Sequence, residues 1–352
     1  MSLEANDNVR KGLLLFFLVV LVLIIFWVFL LVILPKYYRH ENTVNEAANF
    51  GSNSIVVERL KQLPKIKKPF WKAVNTSLIE DSLLHVKVEY GKELIAHTAK
   101  FLGPNGTIAK LSNGMNCQNC HLDAGTAIFG NNYGSVASTY PKFRARSGSV
   151  EDIYKRINDC FERSLNGKSL DTNSNEMQAI KAYIEFIGSN VNKGEKAEGS
   201  GLKEMKYLGR AANPENGKLV YVTKCQSCHQ KNGEGTLTVD KTEYTYPPLW
   251  GNQSYNDGAG LYRISNFAKY VKSNMPLGAT HENPQLSDEE AWDVAAFVNA
   301  QIRPHKNASK DWPDISKKPI DHPFGAYADG FSEKQHKFGP FKPIQDYYEK
   351  KH

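Results

Sequence analysis

Cys117-Gln118-Asn119-Cys120-His121 recurs, with a single substitution, as Cys225-Gln226-Ser227-Cys228-His229. In such a pentapeptide the two thiols attach to the vinyl groups of a porphyrin, and the histidine becomes the proximal iron ligand. A zinc site or a redox dithiol needs no histidine at the same place twice. The repeat therefore argues for two covalently bound haem c groups (iron), one on Cys117, Cys120 and His121, the other on Cys225, Cys228 and His229. Four of the five cysteines are used in this way, and Cys160 is left over.

Outward from each pentapeptide the same order of elements recurs. The spacing of Leu94, Ile95, Thr98 and Phe101 predicts a helix over Tyr90 to Phe101, ended by Gly103-Pro104-Asn105-Gly106. Pro214 predicts a helix start in the second half, with Leu219 and Val222 as its apolar face. Terminal helices follow over Asn175 to Ile187, with Met177, Ile180 and Ile184 on the buried side, and over Asp288 to Ile302, opened by a Ser287 to Glu290 capping box. Helix, haem pentapeptide, loops, ligand and terminal helix is the order of small class I cytochromes c. The expected fold is mainly α, with two such domains in tandem at 84–188 and 205–303. Residues 36–83 read as a stalk, 189–204 as a linker, and 304–352 as a wrapping C-terminal extension without catalytic residues.

Gly12 to Leu34 is an uncharged apolar run. At 1.5 Å per residue it is long enough, at about 34 Å, to cross a bilayer once. No Ala-x-Ala site comes after it, so an uncleaved transmembrane helix over 12–34, within an N-terminal segment 1–35, is the expectation. Covalent haem attachment implies that the residues after 35 are exported. That places the haem domains in the periplasm, tethered to the bacterial inner membrane. The remainder, in a chain 41% hydrophobic and 23% charged, reads as globular. Its net charge of +7 is spread without a dense basic tract, which argues for anionic partners and against nucleic acid.

Low-spin haem iron needs a sixth ligand. Met275, in the loop Asn274-Met275-Pro276-Leu277-Gly278 ahead of the terminal helix, is the candidate at the second haem. In the first half Met177 lies inside a helix on the face of Ile180 and Ile184, so it reads as packing. Cys160 occupies the place that corresponds to Met275. The metal set is then His121, Cys160, His229 and Met275. Spacing alone leaves open an inert buried cysteine. Clustered arginines speak against it: Arg156 lies four residues before Cys160 and Ser164 four after, so on a helix the three share one face.

Several longer stretches resemble the TsdA-type dihaem thiosulfate dehydrogenases. They include Asn113-Gly114-Met115-Asn116 running into the first pentapeptide, Phe129-Gly130-Asn131-Asn132-Tyr133-Gly134, Arg144-Ala145-Arg146-Ser147-Gly148, and Arg156 to Gly167. In the second half Pro247-Pro248-Leu249-Trp250-Gly251, Ser254 to Gly260 and Met275-Pro276-Leu277-Gly278 agree, as does Tyr327-Ala328-Asp329-Gly330-Phe331. The resemblance implies an enzyme that couples two thiosulfates into tetrathionate, or runs the reverse, at a haem whose distal ligand is the Cys160 thiolate. Carried over, Arg146, Arg156, Ser147 and Ser164 bind the anion, with Arg144 a weaker candidate. Some members carry lysine before the methionine of the second haem, where this chain has Asn274, so His/Met ligation is expected there.

The chemistry agrees with these residue types. A guanidinium stays charged and can hydrogen-bond two sulfonate oxygens at once, offsetting the repulsion between dianions. Thiolate ligation lowers an iron potential and methionine raises it, so electrons should run from haem 1 to haem 2. From there they would reach a periplasmic or membrane acceptor, a cytochrome or an oxidase. Two rivals remain open at this level. One is a membrane-anchored dihaem electron-transfer cytochrome without substrate chemistry, and the other an enzyme for a different sulfur anion, such as sulfite or an organic thiosulfonate.

Overall fold

The computed structural model describes residues 17, 18, 20–33 and 68–351, and the chain divides into two compact units at residue 68. In the first unit residues 20–28 are helical and lead into a π-helical turn, Phe29–Ile33. No helix among the described residues is long and apolar enough to cross a membrane. The rest of the expected 12–34 helix, and the stalk as far as residue 67, lie outside the described residues.

Three helices carry the first cytochrome c domain: α1 (Ser82–Ala96), α2 (Ile153–Arg163) and α3 (Asn175–Ile187). Three more carry the second: α4 (Pro214–Lys224), α5 (Ile264–Asn274) and α6 (Asp288–Asn299). Side-chain caps open most of them, because the first backbone N–H groups of a helix have no partner within it. Asp81 accepts from Leu83 N and Leu84 N, Asn213 from Glu215 N and Asn216 N, and Ser287 and Glu290 form the capping box expected from sequence.

In both halves the first and last helices cross at a glycine. A Cβ on Gly91 would stand 2.0 Å from Ala179 O, and one on Gly217 would stand 1.8 Å from Asp293 O. Only a residue without a side chain lets the backbones approach so closely. Around the first crossing Leu94, Ile95, Phe161, Met177 and Ile180 are buried, and around the second Tyr221, Trp292, Ala295 and Val298. Each large apolar side chain so buried contributes about 1.5–3 kcal/mol. Two short antiparallel hairpins complete the scaffold, β1 (Lys142–Arg144) with β2 (Ser149–Glu151), and β3 (Thr236–Leu237) with β4 (Tyr244–Tyr246).

Several local expectations are corrected. Helix α1 starts at Ser82 rather than Tyr90 and breaks at His97, where a separate short helix Thr98–Leu102 begins. The expected end of the stalk belongs instead to the first domain: Trp71 is buried in its core and donates its indole N–H to Asn190. Leu219 and Val222 are exposed, whereas Gly217, Val220 and Tyr221 form the inner face of α4, a rotation of the expected apolar stripe. The final helix of the second domain ends at Asn299, leaving Ile302 in solvent. The linker is tied down, since Glu198, Gly199 and Gly201 accept from the backbone N–H groups of Trp71, Phe129 and Asn131, and Ala197 and Ser200 are buried.

Residues of the second domain also grip α2. Asn256 donates its amide to Glu162 O and its backbone N–H to Arg163 O, and Asn113 reaches Ser254 O. The Ser254 to Gly260 stretch is thus a clamp between the two domains. The C-terminal extension ends in α7 (Lys342–Lys351) and buries Phe341 and Ile344 against the second core.

Candidate active site

Each pentapeptide faces a cavity. The first, of about 340 Å³, is lined by Cys117, Cys120 and His121, with Cys160 also on its wall. The second, of about 480 Å³, is lined by Cys225, Cys228 and His229, with Met275 on its wall. All five cysteines are free of disulfides. His121 Nδ1 lies 2.6 Å from Asn131 O, and His229 Nδ1 lies 2.8 Å from Pro247 O. A carbonyl only accepts, so each Nδ1 carries the proton and each Nε2 is left with its lone pair. Burial drives both imidazoles toward the neutral form, lowering His121 to about 4 and His229 in the same direction.

Two thiols, a neutral imidazole of fixed tautomer and a sulfur in the same cavity are what a haem c requires, and both sites meet that test. His121 and Cys160 would hold the first iron, His229 and Met275 the second. Asn274 directs its amide to Phe129 O and Tyr270 O, and the Lys272 ammonium is engaged by Leu286 O and Asp288, so neither is committed to the second cavity. Asn116 and Cys120 line both cavities, so the two sites share a wall.

Helix α2 builds the remainder. Asp152 caps it by accepting from Lys155 N. Ile153, Ile157 and Phe161 form its buried stripe, and Arg156, Cys160 and Ser164 form the adjacent stripe. The latter three line the first haem cavity and also a third cavity of about 370 Å³, walled by Arg144, Arg146, Arg163 and Arg263. Two of these guanidiniums are neutralised, Arg163 by Asp311 at 2.8 Å and Arg263 by Asp321. Arg144 lies 4.0 Å from Glu151. Among the described residues Arg146 and Arg156 make no ion pair. Cys160 is the main influence on Arg156 and raises its guanidinium above the ordinary value. Burial and then Arg163 lower Arg146 to about 10, which leaves it charged at neutral pH. Such a cavity favours a small anion with several acceptor oxygens.

Of the residues predicted for the site, Cys160, Arg146, Arg156 and Ser164 come together here, and so does Arg144. Ser147 does not. It sits in the β1–β2 turn, donating to Arg144 O and accepting from Ser149 Oγ, and lines none of these cavities. Lys142 and Lys196, which sequence did not single out, lie on the wall of the first haem cavity. Lys142 is adjacent to the arginine run, and its value is lowered by burial and by the cations beside it. Lys196 lies in the expected linker and carries no signal in its sequence surroundings. Trp312 lines the arginine cavity from the extension expected to wrap the fold without catalytic residues.

Two helical domains, each with a cavity faced by the haem-attachment residues, make the chain a dihaem c-type cytochrome; residues 108–192 match the SoxA/TsdA cytochrome c domain and residues 214–301 the cytochrome c domain. The thiosulfate dehydrogenase of Psychrobacter arcticus is 39% identical over 249 residues, which cover 70% of this chain and 73% of that protein. The chain belongs to the TsdA-type thiosulfate dehydrogenase family. The thiosulfate dehydrogenase of Allochromatium vinosum is 35% identical over 232 residues, covering 65% of this chain and 82% of its own. A solved structure of thiosulfate dehydrogenase (TsdBA) from Marichromatium purpuratum, in its as-isolated form, superposes with a TM-score of 0.62 at 29% identity. That match covers 68% of this chain, and this chain spans about half, 51%, of the other.

Proposed function

We propose that the protein is a thiosulfate dehydrogenase that joins two thiosulfates into tetrathionate at Cys160. The observation that carries this reading is the position of Cys160 on the walls of both the first haem cavity and the arginine cavity, one helical turn from Arg156, which makes no ion pair among the described residues. An electron carrier without substrate chemistry has no use for a thiol on the wall of a cavity shared with half-buried Arg146 and Arg156, which make no ion pair among the described residues.

In this reading Arg146, Arg156 and Ser164 bind and orient the thiosulfate sulfonate, leaving the sulfane sulfur for Cys160. A bond forms between Cys160 Sγ and that sulfur, and two electrons leave. The sulfane sulfur of a second thiosulfate then attacks the Cys160-bound sulfur. The new S–S bond forms, the bond to Cys160 breaks, and the cysteine thiolate is restored as tetrathionate departs. Bound haem supplies the one-electron acceptor chemistry that this oxidation needs. The shared wall at Asn116 and Cys120 supports passage of electrons from the first site to the second, and from there to an acceptor cytochrome or oxidase. Reversal to tetrathionate reduction uses the same residues. Covalent haem attachment supports a periplasmic setting for this chemistry.

The test is electron transfer by the purified dihaem protein in both directions: an acceptor dye reduced with thiosulfate, and a reduced donor oxidised with tetrathionate. Transfer in at least one direction is expected. If neither anion supports any, the protein is an electron relay.

A further inference from the structure

Glu243, the residue before β4, crosses from the second domain to the haem-attachment segment of the first. Its carboxylate oxygens lie 2.9 and 3.1 Å from His97 Nδ1, at the break after α1, and Oε2 accepts from the Asn116 amide at 2.9 Å. Asn116 in turn accepts from Ala99 N at 2.8 Å and immediately precedes Cys117. The hairpin holds the residue from behind, since Thr238 N donates to Glu243 O at 2.9 Å. Glu243 lines the second haem cavity and not the first.

The charge of this side chain is not cancelled by its partners. A carboxylate only accepts, so His97 Nδ1 carries a proton, and a neutral imidazole satisfies that bond. Among the described residues no lysine or arginine pairs with Glu243, whose side chain is 16% exposed. Of the other charged residues on the same wall, Lys224 is taken by Glu290 at 2.7 Å and Asp123 is exposed to solvent. The first cavity is the reverse, with Lys142, Arg144, Arg156 and Lys196 on its wall. Negative charge near an iron favours the ferric state and lowers its potential, and positive charge raises it. The expected sulfur ligands act in the opposite sense, thiolate lowering the first iron and methionine raising the second. In both cavities, then, the wall opposes the ligand.

We infer that Glu243 sets the potential of the second haem, holding it low enough that the two sites stay close and electrons can pass in either direction. The directional part rests on the proposed thiosulfate chemistry, whereas the effect on potential does not. Glu243 touches neither the substrate cavity nor Cys160, so it acts only through the electron affinity of the second site.

Glu243→Gln keeps an acceptor for His97 and Asn116 and removes the charge. In a spectroelectrochemical titration of the dihaem protein without thiosulfate or tetrathionate, this variant is expected to raise the midpoint of the second haem and leave the first unmoved. The partition of electrons between the two should shift toward the second by roughly tenfold. Asp123→Asn removes an exposed charge from the same wall and should shift it by less than about twofold. An unmoved midpoint in Glu243→Gln makes the carboxylate a mere latch between hairpin and attachment segment and overturns the inference, as does an equal shift from Asp123→Asn. With the two anions present, Glu243→Gln should lower the rate of tetrathionate reduction relative to thiosulfate oxidation, and a ratio equal to the parent's removes the directional role. The midpoints are read without either anion, so they separate this inference from the parent reading, which fails only if the unaltered protein shows no transfer with thiosulfate or tetrathionate.

Discussion

The two haem cavities stand on the same scaffold and differ in charge. Both lie beside a crossing of first and last helices closed at a glycine, and both hold the proximal imidazole by an Nδ1–H to a backbone carbonyl. The first cavity has Lys142, Arg144, Arg156 and Lys196 on its wall and, among the described residues, no carboxylate. The second sets Lys224 against Asp123 and Glu243. A thiol faces the cationic cavity and a thioether the other. What the fold repeats is the cofactor site, and what α2 adds is a thiol beside a guanidinium, which in the proposed reaction would meet a dianion. A fold by itself does not assign chemistry; the side chains grafted on it do.

That contrast can be broken most directly at its sulfur. Cys160→Gly should reduce thiosulfate turnover to background while two haems per chain remain in a haemochrome assay, because the thioether cysteines are untouched. A variant that kept its rate would make the two cavities functionally alike. Next in size is Arg156→Ala. Loss of a charge-assisted hydrogen bond of about 1.5–3 kcal/mol predicts a tenfold to about hundredfold fall in kcat/KM for thiosulfate. Lys224→Ala in the second cavity should leave KM where it was, and equal losses from the two substitutions would erase the distinction. The shared scaffold is tested by Gly217→Ala and Gly91→Ala. Each drives a methyl into a backbone carbonyl and should destabilise by about 1–3 kcal/mol, seen as a lower thermal midpoint. Melting unchanged from the parent would show that the crossings are not tight. Smallest of all, Ser147→Ala should change thiosulfate KM and stability by no more than about 0.5 kcal/mol, whereas Ser164→Ala should raise KM. Reversed outcomes for the two serines would restore the turn as part of the site.

Covalent chemistry made the fold legible. The Cys-x-x-Cys-His repeat fixes two iron sites, and the helices that end each domain carry strong periodicity and caps, as at Ser287 and Glu290. Fourfold spacing on α2 was equally legible, since Arg156, Cys160 and Ser164 needed only the helix to share a stripe. Elsewhere the signals failed for physical reasons. On α4 the inner face is built from Gly217, Val220 and Tyr221, and a glycine that permits contact leaves no trace in an apolar pattern. Ser147 lies next to Arg146 in sequence, but a turn points consecutive side chains to different places. Trp312 enters the arginine cavity across the whole second domain, and no local pattern announces a contact between residues so far apart.

Because Asp311 and Trp312 brace Arg163 and Arg146 from the far end of the chain, the cavity has a birth order. Both haem-attachment sequences leave the ribosome before its last wall exists. A polypeptide cut short ahead of residue 311 would still carry both haem-attachment pentapeptides and all five cysteines, while lacking one side of the arginine cavity and the Phe341 and Ile344 side chains of the second core. The attachment sequences would then be a poor gauge of competence, and integrity of the carboxy terminus a better one.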